Sequence, residues 1–279
     1  MNMLNRPFLF VFVLLFSNQL AAQNIFDETN SKKYANYLFQ AGEYKLAAEE
    51  FERLNFMNLG NDTIQTRMIQ SYRRLAEYKI ADQKVDLFYP NLKFNLKTTA
   101  IEYVIIQIRI NNDQQVNFFI DSTILLNKDE KLFLSLSADL MNAQYENAAE
   151  QLIDWNNDMP PNILEYSAII DNYEHIRFKR QFLAGSLSAI VPGLGQTYAG
   201  YWKDGVFALL FTTSAAYQSY RGFKKNGIKS PYGWIYGALG CGFYMGNVYG
   251  AIKAANKYNF IKNKEISNRV EKVFSTYYP

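Results

Sequence analysis

Apolar and small residues recur at helical spacing between residues 30 and 176 and predict about four helical hairpins, the third one degenerate. The clearest sign is an internal repeat: residues 43–47 read Glu-Tyr-Lys-Leu-Ala, and residues 77–81 read Glu-Tyr-Lys-Ile-Ala, an offset of 34. The run at residues 101–110 is rich in β-branched side chains, which also suit a strand. We predict a helix there, because a lone strand between helical repeats has no partner.

The repeated positions carry the small and large residues that close helix packing needs. They are Gly42, Tyr44, Ala47 and Phe51 in the first copy and Ala76, Tyr78 and Ala81 in the second. Gly42 and Ala76 are expected to let the two helices of a hairpin approach closely, the tyrosines to pack across the turn, and Ala47 and Ala81 to fit where no bulk is tolerated. This pattern resembles the tetratricopeptide repeat. The resemblance implies a solenoid whose surface binds an extended peptide or a helix; the alternative is a small helical bundle without a binding groove.

Local signals set the predicted ends of these hairpins. Asn30 and Asp62 are expected to cap the first helices of the first and second hairpins. Pro90 is expected to mark the end of the second hairpin, and Pro160 with Pro161 the end of the fourth.

Three uncharged stretches follow residue 181: residues 182–202, 205–220 and 230–252. The third carries glycines four positions apart, which leave one helix face bare for another helix. These glycines are Gly233, Gly237, Gly242, Gly246 and Gly250. In water such glycines destabilise a helix by about 1 kcal/mol each relative to alanine. In lipid the backbone must form its helical hydrogen bonds whichever residues are present, because no water is available to replace them. We therefore predict a membrane hairpin; a buried, glycine-rich soluble hairpin is the alternative.

The first uncharged stretch contains Pro192, Gly193, Gly195, Gln196, Tyr198 and Gly200. This Pro-Gly-x-Gly-Gln-x-Tyr pattern, with the later residues 246–259, resembles the two-transmembrane-helix family of bacterial envelope domains, which implies membrane residence and no agreed activity. From the residues themselves, Pro192 and Gly193 break a helix, and Gln196 and Tyr198 are expected to pair with the freed carbonyl groups. The broken helix also allows a re-entrant element in a channel, transporter or insertion-related component.

Charge divides the chain near residue 177. Residues 1–176 hold 15 Lys and Arg against 23 Asp and Glu, while residues 177–279 hold 14 against 3, together with 13 of the 15 glycines. The predicted fold is all-α: a helical-hairpin, tetratricopeptide-like solenoid followed by a glycine-rich transmembrane helical hairpin. The predicted segments are a signal peptide (1–22), a helical repeat domain (23–176), a hydrophobic membrane domain (177–260) and a basic tail (261–279), which is expected to lie along anionic headgroups.

The N-terminal residues predict export. Arg6 precedes the apolar run of residues 8–16, and the small residue Ala22 ends the polar region that follows, as in a secretory signal peptide. An uncleaved anchor is the alternative. We expect a bacterial envelope location, with a periplasmic repeat domain and an inner-membrane anchor.

The sequence contains few of the residues that catalytic or metal sites use. One Cys and one His exclude a disulfide framework and paired-histidine zinc sites. His175 is read as a surface residue and Cys241 as a small buried one. We expect no enzyme, no cofactor, no metal, no nucleic acid and no small-molecule substrate. The expected function is an adaptor whose repeats bind a protein partner and whose C-terminal membrane hairpin anchors it in lipid. The alternative is the channel-type component with a re-entrant broken helix at Pro192 and Gly193.

Overall fold

A computed structural model describes residues 27–153 and 159–279, and the predicted signal peptide lies outside these residues. All regular structure in the described ranges is helical, as predicted. The helices form two compact units, with the boundary between Lys131 and Leu132 inside one helix. The composition, in contrast, changes near residue 177.

The first unit consists of three helical hairpins and the start of a fourth. Its helices are α1 (Glu28–Gln40), α2 (Tyr44–Leu54), α3 (Asp62–Arg74), α4 (Tyr78–Phe88), α5 (Lys97–Arg109), α6 (Asp113–Ser122) and the first residues of α7 (Lys128–Met141). The run at residues 101–110 lies almost wholly in α5, so the helix predicted there is confirmed. A buried cluster joins α1 to α3 through Ala35, Leu38, Ala47, Phe51, Leu54, Ile64 and Met68.

The predicted helix caps were wrong by a few residues. Asp27, not Asn30, caps α1, and its carboxylate accepts the N–H of Asn30. Asn61, not Asp62, caps α3, since its side-chain oxygen accepts the N–H of Ile64 at 3.0 Å. Several capping residues stand together at both helix starts, so composition alone does not select among them.

The second unit contains the rest of α7 and six further helices. They are α8 (Tyr145–Ile153), α9 (Pro161–Glu174), α10 (Gln181–Ile190), α11 (Leu194–Tyr198), α12 (Trp202–Asn226) and α13 (Pro231–Tyr277). Pro161 stands at the first position of α9, where proline is favoured, so it begins a helix as well as ending the hairpin before it. The 47-residue helix α13 packs against α9, α10, α11 and α12.

The basic tail is not a separate segment. Residues 261–277 continue α13, and their apolar residues Ile266, Val270, Val273 and Phe274 are buried. Tyr277 also lies edge-on to the ring of Phe133, 5.4 Å between centroids. One side of this tail is therefore covered by the chain itself, and its contact with lipid headgroups stays a prediction.

Among the described helices, none combines the length and the apolarity that crossing a bilayer requires. Helices α12 and α13 have 25 and 47 residues, but glycine, tyrosine and hydroxyl side chains dilute their hydropathy. The expected transmembrane hairpin therefore finds no support in these helices.

Candidate functional site

The Pro-Gly-x-Gly-Gln-x-Tyr residues lie at a tight junction of α10, α11, α12 and α13. Helix α10 ends at Ile190, and Gly193 has φ +89°, a left-handed conformation that begins α11. A side chain at Gly193 would also overlap the carbonyl group of Gly205 at the start of α12. Gly193 is therefore required both by the backbone angle and by the close approach of a second helix.

The helix break leaves carbonyl groups without helical partners, and α13 supplies replacements. Pro192 has no N–H, so the carbonyl of Ser188 cannot make its helical bond; the Asn247 amide donates to it at 2.9 Å. Asn247 also accepts the N–H of Gly193 at 2.8 Å. The hydroxyl of Tyr244 donates to the carbonyl of Ala189 at 2.6 Å. Asn247 is buried, so both of its side-chain bonds are made away from water.

Gln196 completes this network from α11. Its amide donates to the carbonyl of Asn247 at 2.9 Å, and its side-chain oxygen accepts the Ser188 hydroxyl at 2.8 Å. That hydroxyl in turn accepts the N–H of Gly195 at 2.9 Å. Ser188, Gln196 and Asn247 are all buried. The polar groups of the motif therefore pair with one another, which makes this junction a structural element.

The partners of the freed carbonyls differ from those expected. Gln196 and Tyr198 were predicted to satisfy them, but Asn247 and Tyr244 do so, and Tyr198 instead accepts the N–H of Arg180 at 3.2 Å. The ammonium of Lys179 lies 4.8 Å from the centre of the Tyr198 ring. Asn247 is the one asparagine in the uncharged stretch of residues 230–252. A lone amide in an apolar run is the sequence signal that could have identified it.

A stripe of small and amide residues on α13 packs residues 246–259 against the Pro-Gly-x-Gly-Gln-x-Tyr residues. Asn247, Ala251 and Ala255 are buried at intervals of four residues on α13, and Asn259 follows at the same interval. A side chain at Gly195 would meet the carbonyl of Ala184 and the methyl of Ala251. At the far end, Asn259 exchanges two hydrogen bonds with the backbone of Lys179, at 2.8 and 2.9 Å.

The predicted glycine face of α13 is used only in part. A side chain at Gly222 of α12 would lie 2.6 Å from the backbone nitrogen of Gly233, so these two helices touch there. Gly237 lies beside the Ser219 hydroxyl, and Gly250 beside the Gln196 amide. A Cβ atom added at Gly242 or Gly246 would meet no atom of another element within 4 Å, so the packing predicted for them does not occur in the described chain. Gly200, with φ +90°, ends α11.

Left-handed residues mark the repeat turns. Gly42 and Ala76 have φ values of 81° and 60°, and Asn111 and Ala143 in the next two turns both have 58°. After Gly42 the N–H of Glu43 bonds the carbonyl of Leu38 at 2.9 Å, the long bond of a Schellman motif. A side chain at Gly42 would meet open space, so its predicted role in close helix approach was wrong; the turn needs its backbone angle instead.

The other repeat positions lie in and beside the core. Ala47, Phe51 and Ala81 are fully buried. Tyr44 packs edge-on against Phe39 at 5.5 Å and accepts a hydrogen bond from Arg74 at 3.1 Å. Tyr78 begins α4 and is half-buried.

Two residues considered for chemistry lie on the surface. The Nδ1 of exposed His175 lies 2.7 Å from the carbonyl of Asp171, and this hydrogen bond raises the pKa of the imidazole. Cys241 is exposed, not buried as expected. The described residues contain no group of acidic, His and Cys side chains that could hold a metal ion.

Helices α12 and α13 expose many large apolar side chains. The exposed residues of α12 are Val206, Phe207, Leu209, Leu210, Phe211, Tyr217 and Tyr220, and those of α13 include Trp234, Ile235, Leu239, Phe243, Met245 and Tyr249. Folded monomers rarely leave a large continuous apolar surface in water, and such surfaces mark contacts with a membrane or another protein. We call these residues the apolar face.

Comparisons with protein-family models, with curated proteins and with solved structures find no match to this chain.

Proposed function

We propose that this chain is a non-enzymatic cell-envelope adaptor that attaches to a lipid bilayer through its apolar face and offers its helical hairpins to a protein partner. The observation that carries the proposal is the exposure of the apolar face. Residues 205–220 of α12 hold no charged side chain, so lipid contact there desolvates no ion. The expected export and periplasmic location remain part of the proposal.

Attachment through the apolar face does not require any helix to cross the bilayer. An apolar face that enters the boundary between headgroups and acyl chains holds a protein at a membrane without spanning it. Basic residues flank the face: Arg221, Lys224 and Lys225 at the end of α12, and Lys203 at its start. Cations at this position favour anionic headgroups by about 1 kcal/mol each.

The junction at Pro192 favours attachment over passage of a solute. The polar groups of Ser188, Gln196 and Asn247 pair with one another. A channel or transporter built on this break would need polar groups directed to its cargo. The channel-type function therefore has no specific observation in its favour.

The partner-binding half of the proposal is supported by the hairpins of the first unit. Stacked helix pairs present extended surfaces that bind peptides and helices. Exposed Tyr34 and Tyr37 on α1 are aromatic anchors of the kind enriched in such interfaces. A photo-crosslinker at Tyr37 should trap one defined protein in cells; absence of any cross-link from this face would contradict this half of the proposal.

Attachment is tested with the full chain and a triple substitution of Phe207, Leu210 and Phe211 to serine. These side chains are 59, 53 and 56% exposed. Burying the exposed half of each contributes about 1 kcal/mol, so the triple variant should bind vesicles ~100-fold more weakly. Flotation with anionic vesicles measures this change.

A matched control replaces Leu87, Phe118 and Ile124 with serine. These large apolar residues of the first unit are also exposed, but they do not belong to the apolar face. Their substitution should leave flotation unchanged. Equal losses in both triple variants, or no flotation of the unaltered chain, would contradict attachment through α12 and α13.

A further inference from the structure

An open groove of about 500 Å³ runs between α12 and α13. Its walls are mainly apolar and include Phe223, Tyr236 and Met245, while Gly237 and Gly240 leave its middle without side chains. The added Cβ of Gly240 would lie 3.7 Å from Ala215, so the helices are in ordinary contact below the groove. Binding sites for small apolar ligands have this volume and this type of lining.

The groove contains a buried hydroxyl that the chain does not satisfy. Thr212 lies at the end of the groove farthest from the turn that joins the two helices, and it is only 8% exposed. Its hydroxyl has no hydrogen-bond partner within the described part of the chain. Hydrocarbon offers this hydroxyl no hydrogen-bond partner, so an apolar occupant of the groove would leave it to a water molecule at this end.

The other end of the groove is basic. Tyr220 lines the groove, and the ammonium of Lys224 lies 5.8 Å from the centre of its ring. Arg221 and Lys225 stand in the same helical turn, and the chain has no acidic residue between Asp204 and Glu265. An anion at this end would therefore meet several cations and no carboxylate close in sequence.

We propose that the groove binds one acyl chain of an anionic lipid. The acyl chain would lie between α12 and α13, and the anionic group of the lipid would lie near Lys224. The proposal rests on the membrane attachment proposed above, which supplies the lipid. The groove would give that attachment a defined site, in which one lipid molecule is held along the length of its acyl chain. The apolar lining fits the hydrocarbon, and the basic end fits the headgroup.

Cys241 provides a direct test, because it is the only cysteine in the chain, is exposed, and lines the groove. The probe is palmitate, added below the concentration at which it forms micelles, and the measurement is the rate at which a maleimide alkylates Cys241 in the full chain. At nine-tenths occupancy alkylation should slow about tenfold, because only the unoccupied fraction reacts. The substitution Lys224→Glu should raise the palmitate concentration needed, whereas Lys264→Glu should not.

A matched control moves the thiol by one position, in the double variant Cys241→Ser with Gly242→Cys. Position 242 faces open space outside the groove, so palmitate should not protect it. Unchanged alkylation of Cys241 at saturating palmitate, or equal slowing at both positions, would overturn the groove proposal. A chain that floats with vesicles while palmitate leaves Cys241 fully reactive refutes the groove alone. A chain whose Cys241 is protected but which does not float supports the groove and refutes the attachment.

Discussion

The left-handed turn residues of the repeats predict opposite effects for two reciprocal substitutions. Gly42 and Ala76 occupy equivalent turns 34 residues apart, with φ values of 81° and 60°. Glycine adopts this conformation without strain, whereas a residue with a Cβ atom loses roughly 1–2 kcal/mol. Gly42→Ala should therefore destabilise the first unit, and Ala76→Gly should stabilise it.

The structure sets the magnitude. A Cβ at Gly42 would meet no atom within 4 Å, so the only penalty is the backbone conformation. Alanine also lowers the conformational entropy of the unfolded chain, and this offsets about 0.4–1 kcal/mol of the lost stability. The net change is about 1 kcal/mol in each direction.

Native-state hydrogen exchange of amides in α1–α6 measures these changes in the first unit without requiring the whole chain to unfold in one step. Asn111→Gly serves as a graded control, because asparagine tolerates the left-handed region better than alanine and should gain less. Changes of the same sign at Gly42 and Ala76 would refute the assignment of these turns.

Three further substitutions test buried polar contacts. Replacing Glu102 with alanine should lower the free energy of unfolding in urea by about 3–5 kcal/mol, because Arg73 loses its buried carboxylate partner. Leucine at both 73 and 102 should recover much of the lost stability, and a double variant without recovery would contradict the pairing. Asn247→Leu should lower stability by about 3 kcal/mol, since two buried backbone groups lose their partners, and a loss below about 1 kcal/mol would contradict the network. Burial raises the pKa of Asp82, so its ionised form is less stable in the fold than in the unfolded chain, and this site favours folding most when it is protonated. Asp82→Asn keeps an acceptor for Gln107, so it should raise Tm at pH 7, with a gain that disappears below about pH 4; a gain that persists there would contradict this reasoning.

The repeat spacing predicted the first unit well because its signals are local. The 34-residue offset located the turns at Gly42 and Ala76, and the small residues Ala47 and Ala81 are buried as the repeat requires. The reason assigned to Gly42 was wrong, since a sequence does not separate a glycine needed for its backbone angle from one needed for space. The predicted caps failed for a similar reason: Asp27 and Asn61 compete with equally suitable neighbours.

The junction in the second unit was predictable only in part. Pro192 and Gly193 identified the helix break, because both act on their own backbone. The groups that satisfy the break come from Tyr244 and Asn247, more than 50 residues later, and local reasoning assigned the task to Gln196 and Tyr198 instead. Pairing across such a distance depends on how α10 and α13 pack.

The most direct test of the central proposal places an environment-sensitive fluorophore on the apolar face. In the background Cys241→Ser, the substitution Leu210→Cys labels an exposed residue of α12, and Lys264→Cys labels the exposed polar side of α13. Anionic vesicles should shift the emission of the label at position 210 to shorter wavelength and leave position 264 unchanged. Emission at position 210 that stays the same when vesicles are added would contradict membrane attachment through this face.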